Sequence, residues 1–310
     1  MLASLIPFFL VARMAVDETV WKHGPEYVFD VEMNFTSIPM NHDAVKRSNY
    51  TAMNLFCRPK GPDSLNCQTG NCRGQTVDMT NDNQLDVSEE DYKQLCNEDP
   101  FEIKFNQRGV EYMIVNEGIR VYTLNDLKLI VECLSIGVDL NGVPDGIFQV
   151  PENTTIGRCN VNVGINHYPS KGVASKMRSY RYELESLPQL NKVPGEAIVI
   201  QKTIKLNNCS HYAPFYFGSY GDNVVEPDLQ SHLESSSSRI FVSDVQFVSS
   251  ITRTGTMGSD RMNNLVAISE YISVTLRDIR GAKWAPSEIP EASKTSIEMN
   301  ADVNRIYAMK

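Results

Sequence analysis

The sequence lacks the common signatures of catalysis and nucleotide binding. It has no P-loop, no G-x-G-x-x-G, no G-x-S-x-G and no H-E-x-x-H. Histidine is scarce: His23, His42, His167, His211 and His232 are dispersed and none has a motif partner. With no catalytic constellation to assemble, the chain reads as a non-enzymatic protein. Positive charge is also short. The formal net charge is −9 and the pI about 5.2, which argues against nucleic acid or an anionic membrane as the main partner. No internal repeat is present, and no apolar run is long enough to span a bilayer. Leu2 to Ala12 has the length of a signal-peptide core. It lacks a basic start, contains Pro7, and puts Arg13 at a position where cleavage after Ala15 prefers a small residue. Residues 1–15 are therefore a weak signal-peptide match.

What is present is an ordinary globular composition. The 310 residues are 42% hydrophobic and 22% charged, enough for one large β domain or two smaller ones. The strongest helical signal is Thr123 to Ile136. Thr123 suits an N-cap, and Asp126 suits the positive end of the helix dipole. Leu124, Leu127, Val131 and Leu134 form one stripe, and Leu129, Ile130, Cys133 and Ile136 fill most of the remainder. A helix apolar nearly all round is buried, so the rest of the chain should wrap it.

Much of the rest reads as strands. Residues 26–35 alternate cleanly, and 101–105 with 110–115 form a hairpin across Asn106–Gly109. Residues 197–206, 212–218, 239–251 and 264–279 complete the set, with Ser235–Ser238 as a flexible connection. Residues 137–160 read as loop plus a short strand near Cys159, and 172–185 as a basic surface helix. The expected fold is mainly β: an antiparallel β-barrel wrapped around a central buried α-helix. Residues 17–310 form one domain, with a polar, cysteine-rich insertion at 41–99.

Seven cysteines and four sequons favour an oxidising, secretory route. Cys57, Cys67, Cys72 and Cys96 fall in the insertion, where four cysteines allow three pairings. Cys133 lies on the buried helix and is expected to be the unpaired one. Sequons stand at Asn34, Asn49, Asn153 and Asn208, the last expected to be poorly glycosylated beside Cys209. Residues 78–89 match an EF-hand loop in part. Asp78, Thr80, Asp82, Gln84, Asp86 and Glu89 would supply hard oxygen ligands for calcium. Asn83 replaces the turn glycine and no helix enters the loop, so an acidic solvated loop is the favoured reading, with no metal or cofactor required.

A set of ordered motifs resembles the amino-terminal β-barrel of vitellogenins and related large lipid transfer proteins. Trp21, Gly24, Glu26 and Tyr27 resemble W-x-x-G-x-E-Y, and Thr36, Ser37 and Pro39 resemble T-S-x-P. Pro100, Phe101 and Ile103, then Gly157 and Cys159, then Asn208 and Cys209, then Tyr216, Phe217 and Gly218, then Ser238, Arg239 and Ile240 follow in family order. Asn125, Lys128 and Ile130 lie where the family threads a helix through its barrel. The resemblance implies a Cys159–Cys209 disulfide. It also implies a receptor contact on the strand before Cys209, where Lys202 and Thr203 occupy matching positions and Lys205 is displaced by one residue from a second family lysine. Lys202 shares the apolar phase of Ile198, Ile200 and Ile204, whereas Lys205 shares the polar phase of Gln201 and Thr203.

The implied function is a secreted domain in lipid transport or yolk-precursor traffic that meets a lipoprotein-receptor-type ectodomain. Lipid would be carried mainly by domains that follow the barrel in a full-length relative, so this chain alone is expected to carry little. The alternatives are a small stand-alone lipid-binding barrel and an extracellular calcium-binding module.

Overall fold

The computed structural model describes residues 2–7, 10–14, 21–40, 45–80, 83–86, 99–169, 182–186, 192–212, 217, 230–258, 265–299 and 304–305. In chain order the strands are β1 (Leu2–Ile6), β2 (Leu10–Met14), β3 (Pro25–Pro39), β4 (Lys46–Gly61), β5 (Ser64–Thr80), β6 (Asn83–Asp86), β7 (Phe101–Asn106) and β8 (Gly109–Asn116). The helix α1 (Val121–Glu132) follows. After it come β9 (Gly146–Thr154), β10 (Gly157–Pro169), β11 (Tyr182–Ser186), β12 (Glu196–Tyr212), β13 (Gln230–Val242), β14 (Phe247–Gly258), β15 (Val266–Gly281), β16 (Ala292–Thr295) and β17 (Asn304–Arg305).

Two sheets result. A small one orders β1-β2-β11. The large one has 14 strands and runs β17-β16-β8-β7-β5-β4-β3-β15-β14-β13-β12-β10-β9, with β6 added beside β5. Its ladders are antiparallel throughout, which suits a sheet with one buried and one wet face. Inward-facing Phe29, Val31, Ile103, Met113, Val161, Val163, Ile198, Ile200, Ile251, Ile272 and Val274 form one core with Leu124, Leu127, Ile130 and Val131 of α1.

The ladder does not close on itself among the described residues, so the barrel expected from the sequence is a curled sheet around a helix. The curl is nonetheless pinned across its open seam. The Met299 N–H, just after β16 at one end, donates to Thr155 O in the β9–β10 turn at the other, at 2.8 Å. His211 Nε2 on β12 meets Glu298 Oε1 at 2.5 Å across the same seam. The Lys128 ammonium, on α1 itself, donates to Glu298 O at 2.7 Å. The helix therefore lies inside the curl, with Lys128 and Ile130 fully buried.

Several local expectations need correction. The helix starts at Val121, and Arg120 is its N-cap without a side-chain capping bond; Thr123 is buried inside the first turns. It ends at Glu132, and the chain then tightens: the N–H groups of Cys133, Leu134 and Ser135 donate to Ile130, Val131 and Glu132. That tightening lets the Ser135 hydroxyl accept from Val110 N–H, while Gly137 turns the chain at φ 82°.

Within residues 41–99, the segment expected to be an irregular insertion is the β4–β5 hairpin, in the middle of the sheet order. Its two-residue turn at 62–63 brings Cys57 directly opposite Cys67, and the two are joined by a disulfide. The polar faces of β4 and β5 hide the alternation that marks a strand. Residues 137–160 hold all of β9, the β9–β10 turn and the start of β10, which runs on to Pro169. Residues 239–251 are two strands, not one, reversing at 243–246, and Ser235–Ser238 belong to β13. Of 172–185, residues 182–185 are strand and the remainder lie outside the described residues. β1 pairs with β2, and Leu10, Ala12 and Met14 of β2 enter the core.

Candidate functional site

The strand β12 carries the residues that the sequence singles out. From Ile200 to Lys205 it alternates, its inner face turned to the core that encloses α1 and its outer face to water; before that, Ala197 and Val199 of the outer phase are buried as well. Ile198, Ile200 and Lys202 are buried; Gln201, Thr203 and Lys205 are exposed. Lys202, expected by resemblance to be a receptor contact, points inward. Its ammonium donates to Glu152 Oε1 at 2.7 Å and to Ser135 O at 3.2 Å, and its side chain is 6% exposed. A cation so placed holds the wall to the end of the helix and is not presented to a partner. Thr203 pairs with Asn162 on one side and Ser237 on the other, and Lys205 lies opposite Asn160.

After Lys205 the register breaks. Asn160 faces Lys205 while Cys159 faces Cys209, so residues 206–208 bulge out of the ladder. The bulge puts Cys209 against Cys159, and the structure joins them. The closed loop spans 50 residues, which in the chain-entropy account contributes about 4 kcal/mol. Asn208 sits exposed in the bulge. Cys72 is also disulfide-bonded, Cys133 is free and buried, and Cys96 lies outside the described residues.

The inner wall holds a second set of charges. Arg253, on β14 between Ser236 and Glu270, is wholly buried. Its guanidinium reaches Glu132 Oε2 at the end of α1, Glu270 Oε2 at 3.4 Å, and the Thr155 hydroxyl. Thr155 in turn donates to Glu132 Oε2 at 2.6 Å. Helix, β14, β15 and the β9–β10 turn thus meet at one guanidinium. Burial pushes the Glu152 carboxyl above the usual carboxylate range, against the opposing pull of Lys202. Desolvation lowers Lys128 to about 8 and raises the Cys133 thiol.

Sequence reasoning missed Arg253, Glu132 and Glu152. The signal was available for Arg253: Ser249, Ile251, Gly255 and Met257 share its phase and are all buried. A charge on an apolar phase is the same sign that marks Lys202.

The partial calcium motif folds otherwise. Asp78 lies opposite Leu85, and Met79 opposite Gln84, in the β5–β6 hairpin. The two Asp78 carboxylate oxygens accept from Arg47 Nε and Nη2 at 2.7 and 2.8 Å, which holds its carboxyl below the usual range. The partial motif is thus laid out as an antiparallel hairpin, with no helix on either side of it among the described residues. Asp82 and Glu89 lie outside the described residues. Among the described residues no group of three His, Cys, Asp or Glu side chains is placed to hold a metal.

Of the sequons, Asn34 and Asn153 are exposed, and the Asn49 carboxamide oxygen accepts from Thr76 at 2.8 Å. The sequon at Asn153 has a structural reason of its own: its Thr155 is needed in the Arg253 network.

No curated protein matches the chain. Among solved structures, one of lipid–protein interactions in lipovitellin superposes with a TM-score of 0.57 at 10% identity, covering 94% of this chain and 28% of that one. The likeness is one of fold, and the chain spans 28% of that protein's length. A LolA superfamily protein from Nitrosomonas europaea, at 10% identity and a TM-score of 0.16, covers 87% of this chain and 93% of its own; it carries no argument. Over residues 21–267 the chain matches the family model of the vitellogenin N-terminal domain, and it belongs to that family.

Proposed function

We propose that the chain is a secreted, non-enzymatic docking domain in lipid transport or yolk-precursor traffic, which engages a lipoprotein-receptor-type ectodomain through the outer face of β12. Residues 17–310 act as one domain. The observation that carries the reading is the split of the two lysines: Lys202 is locked against Glu152 inside, while Lys205 stands exposed beside exposed Thr203. An exposed ammonium on a rigid ladder suits an acidic partner surface and speeds its encounter. Cys57–Cys67 and Cys159–Cys209 fit an oxidising compartment, and Asn34, Asn49 and Asn153 are the proposed glycan acceptors.

Lipid storage by this chain alone is the weaker reading. The space inside the curl is filled by α1 and its buried contacts. The cavity beside Glu152 is about 200 Å3 and polar-walled, below the roughly 300 Å3 at which ligand pockets begin.

The test is binding of the full chain to a vitellogenin-receptor ectodomain. Salt-sensitive binding is expected, weakened several-fold by Lys205→Ala. Absent binding, or binding indifferent to Lys205→Ala, removes the docking face. Stoichiometric lipid extracted from the purified chain restores the lipid reading.

A further inference from the structure

Asn34 differs from the other sequon asparagines in what stands beside it. It lies within β3, a strand partnered on both sides. Phe29 and Val31 are buried in the core, so Glu32, Asn34 and Thr36 share the opposite face, and Asn34 is exposed there. In register it is directly opposite Tyr271 of β15 on one side and Tyr50 of β4 on the other. Residues so paired have Cα atoms about 4.5–5.5 Å apart and side chains on one face, so both phenol rings flank the asparagine.

Both rings are open to solvent, Tyr50 at 37% and Tyr271 at 42%. Among the described residues Tyr168 is the one other tyrosine so exposed, so two of the three flank a single asparagine. Tyr50 is also held in place. Its hydroxyl bonds to Glu32, two residues before Asn34 on the same face, which draws the ring diagonally over β3. Two residues after Asn34, the Thr36 and Ser48 hydroxyls share a bond at 3.0 Å. The result is a shallow seat with two aromatic sides and a hydroxyl-lined end. The other sequons lack it. Asn153 is opposite Arg158 on the edge strand β9, and Asn208 lies in the β12 bulge. Asn49 is opposite Phe35 and Thr76, and the Thr76 hydroxyl already donates to it.

We propose that Asn34 carries an N-linked glycan whose first N-acetylglucosamine rests against Tyr50 and Tyr271, so that the sugar is a fixed part of the outer wall. This rests on the secretory reading of the chain. A pyranose ring has a face of C–H groups, and an aromatic ring takes that face as it takes other apolar surface; the sugar hydroxyls stay in water. The secretory machinery makes the bond at Asn34-Phe35-Thr36. The Asn34 carboxamide nitrogen bonds to the anomeric carbon of a lipid-linked pyrophosphoryl oligosaccharide, the lipid pyrophosphate leaves, and the nitrogen gives up one proton. Pairing of β3 with β4 and β15 then brings the tyrosines to the attached sugar.

The full chain secreted from eukaryotic cells tests this. Peptide mapping should find Asn34 glycosylated. The folded protein is then treated with the amidase that cuts glycans from asparagine, and release is followed site by site by mass spectrometry. In Tyr50→Ala with Tyr271→Ala, release at Asn34 should quicken about tenfold, each ring contact being worth a few-fold. Release from the denatured chain should not change. Tyr168→Ala, at an exposed tyrosine not paired with Asn34, should leave Asn34 at its original rate. Should the double variant fail to fold, the two single variants, each expected to be about threefold faster, decide. Release at Asn34 as fast in the unaltered chain as in the variants overturns the seat and leaves the glycan acceptors standing. An empty Asn34 beside any occupied sequon overturns the seat alone, and a chain with no glycan at all overturns the secretory reading with it.

Discussion

Arg253 and Arg47 each hold a carboxylate, and the two pairs do different things. Arg47 grips Asp78 with two parallel bonds on the outer face, and its side chain is 57% exposed. Arg253 makes a looser set of contacts inside, with a side chain 0% exposed and Glu132 and Glu270 at 7% and 5%. By geometry the outer pair is the better one. Solvent reverses the order. An exposed pair exchanges water for a partner and gains about 0–1 kcal/mol. A buried pair gains little on balance, but removing one member strands the other in a medium that cannot solvate it. The outer pair is therefore an ornament of one ladder, and the inner one joins four elements.

The largest effect should come from Arg253→Met. Glu132 and Glu270 would lose the buried guanidinium they share, at a loss of about 3–5 kcal/mol. Urea unfolding measures it, and a loss below about 1 kcal/mol would erase the contrast with the surface pair.

A middle effect concerns Lys128, in which burial outweighs charge: its ammonium donates to the Glu298 carbonyl and makes no ion pair among the described residues, and the pull of the Glu298 carboxylate offsets desolvation only in part. In the folded chain it titrates at about 8, against 10.5 when unfolded. Between those values the unfolded chain binds the extra proton, so stability rises as pH climbs from 8 toward 10.5. The rise should be on the order of 3 kcal/mol and should disappear in Lys128→Met. Unfolding midpoints across that range check it; an unchanged slope in the variant would sink the assignment.

The smallest effect should be Asp78→Asn, within about 1 kcal/mol and vanishing in high salt. Arg47 depresses the Asp78 pKa, so its contribution is present above the unfolded pKa and is lost as pH falls through the folded one. A salt-insensitive loss as large as that of Arg253→Met would make the outer clasp structural after all.

Much of this was legible in the chain. The alternation of Tyr27, Phe29, Val31 and Met33 marked β3, and the nearly all-round apolar surface of 124–136 marked a wrapped helix. The phase of Lys202 put it with Ile198 and Ile200, and the structure buries all three. What failed was legibility where both faces are polar. The β4–β5 hairpin, with Asn, Gln, Thr and Arg on both sides, hid its period, and the serine run of β13 looked like a linker. Glu152 and Arg253 were missed because nothing near either one in sequence names its partner: Lys202 is 50 residues from Glu152, and Glu132 is 121 from Arg253.

The sequence by itself determined which segments alternate, which helix must be enclosed, and which side of β12 faces water. These follow from periods of about two or 3.6 residues, which neighbouring residues are enough to define. Only the tertiary structure decided that the sheet is pinned through Thr155 and Met299, that Lys202 serves Glu152, and that Arg253 gathers four elements. Those choices join groups far apart in the chain, and they are settled by which buried charge finds a counter-charge within reach once water is gone.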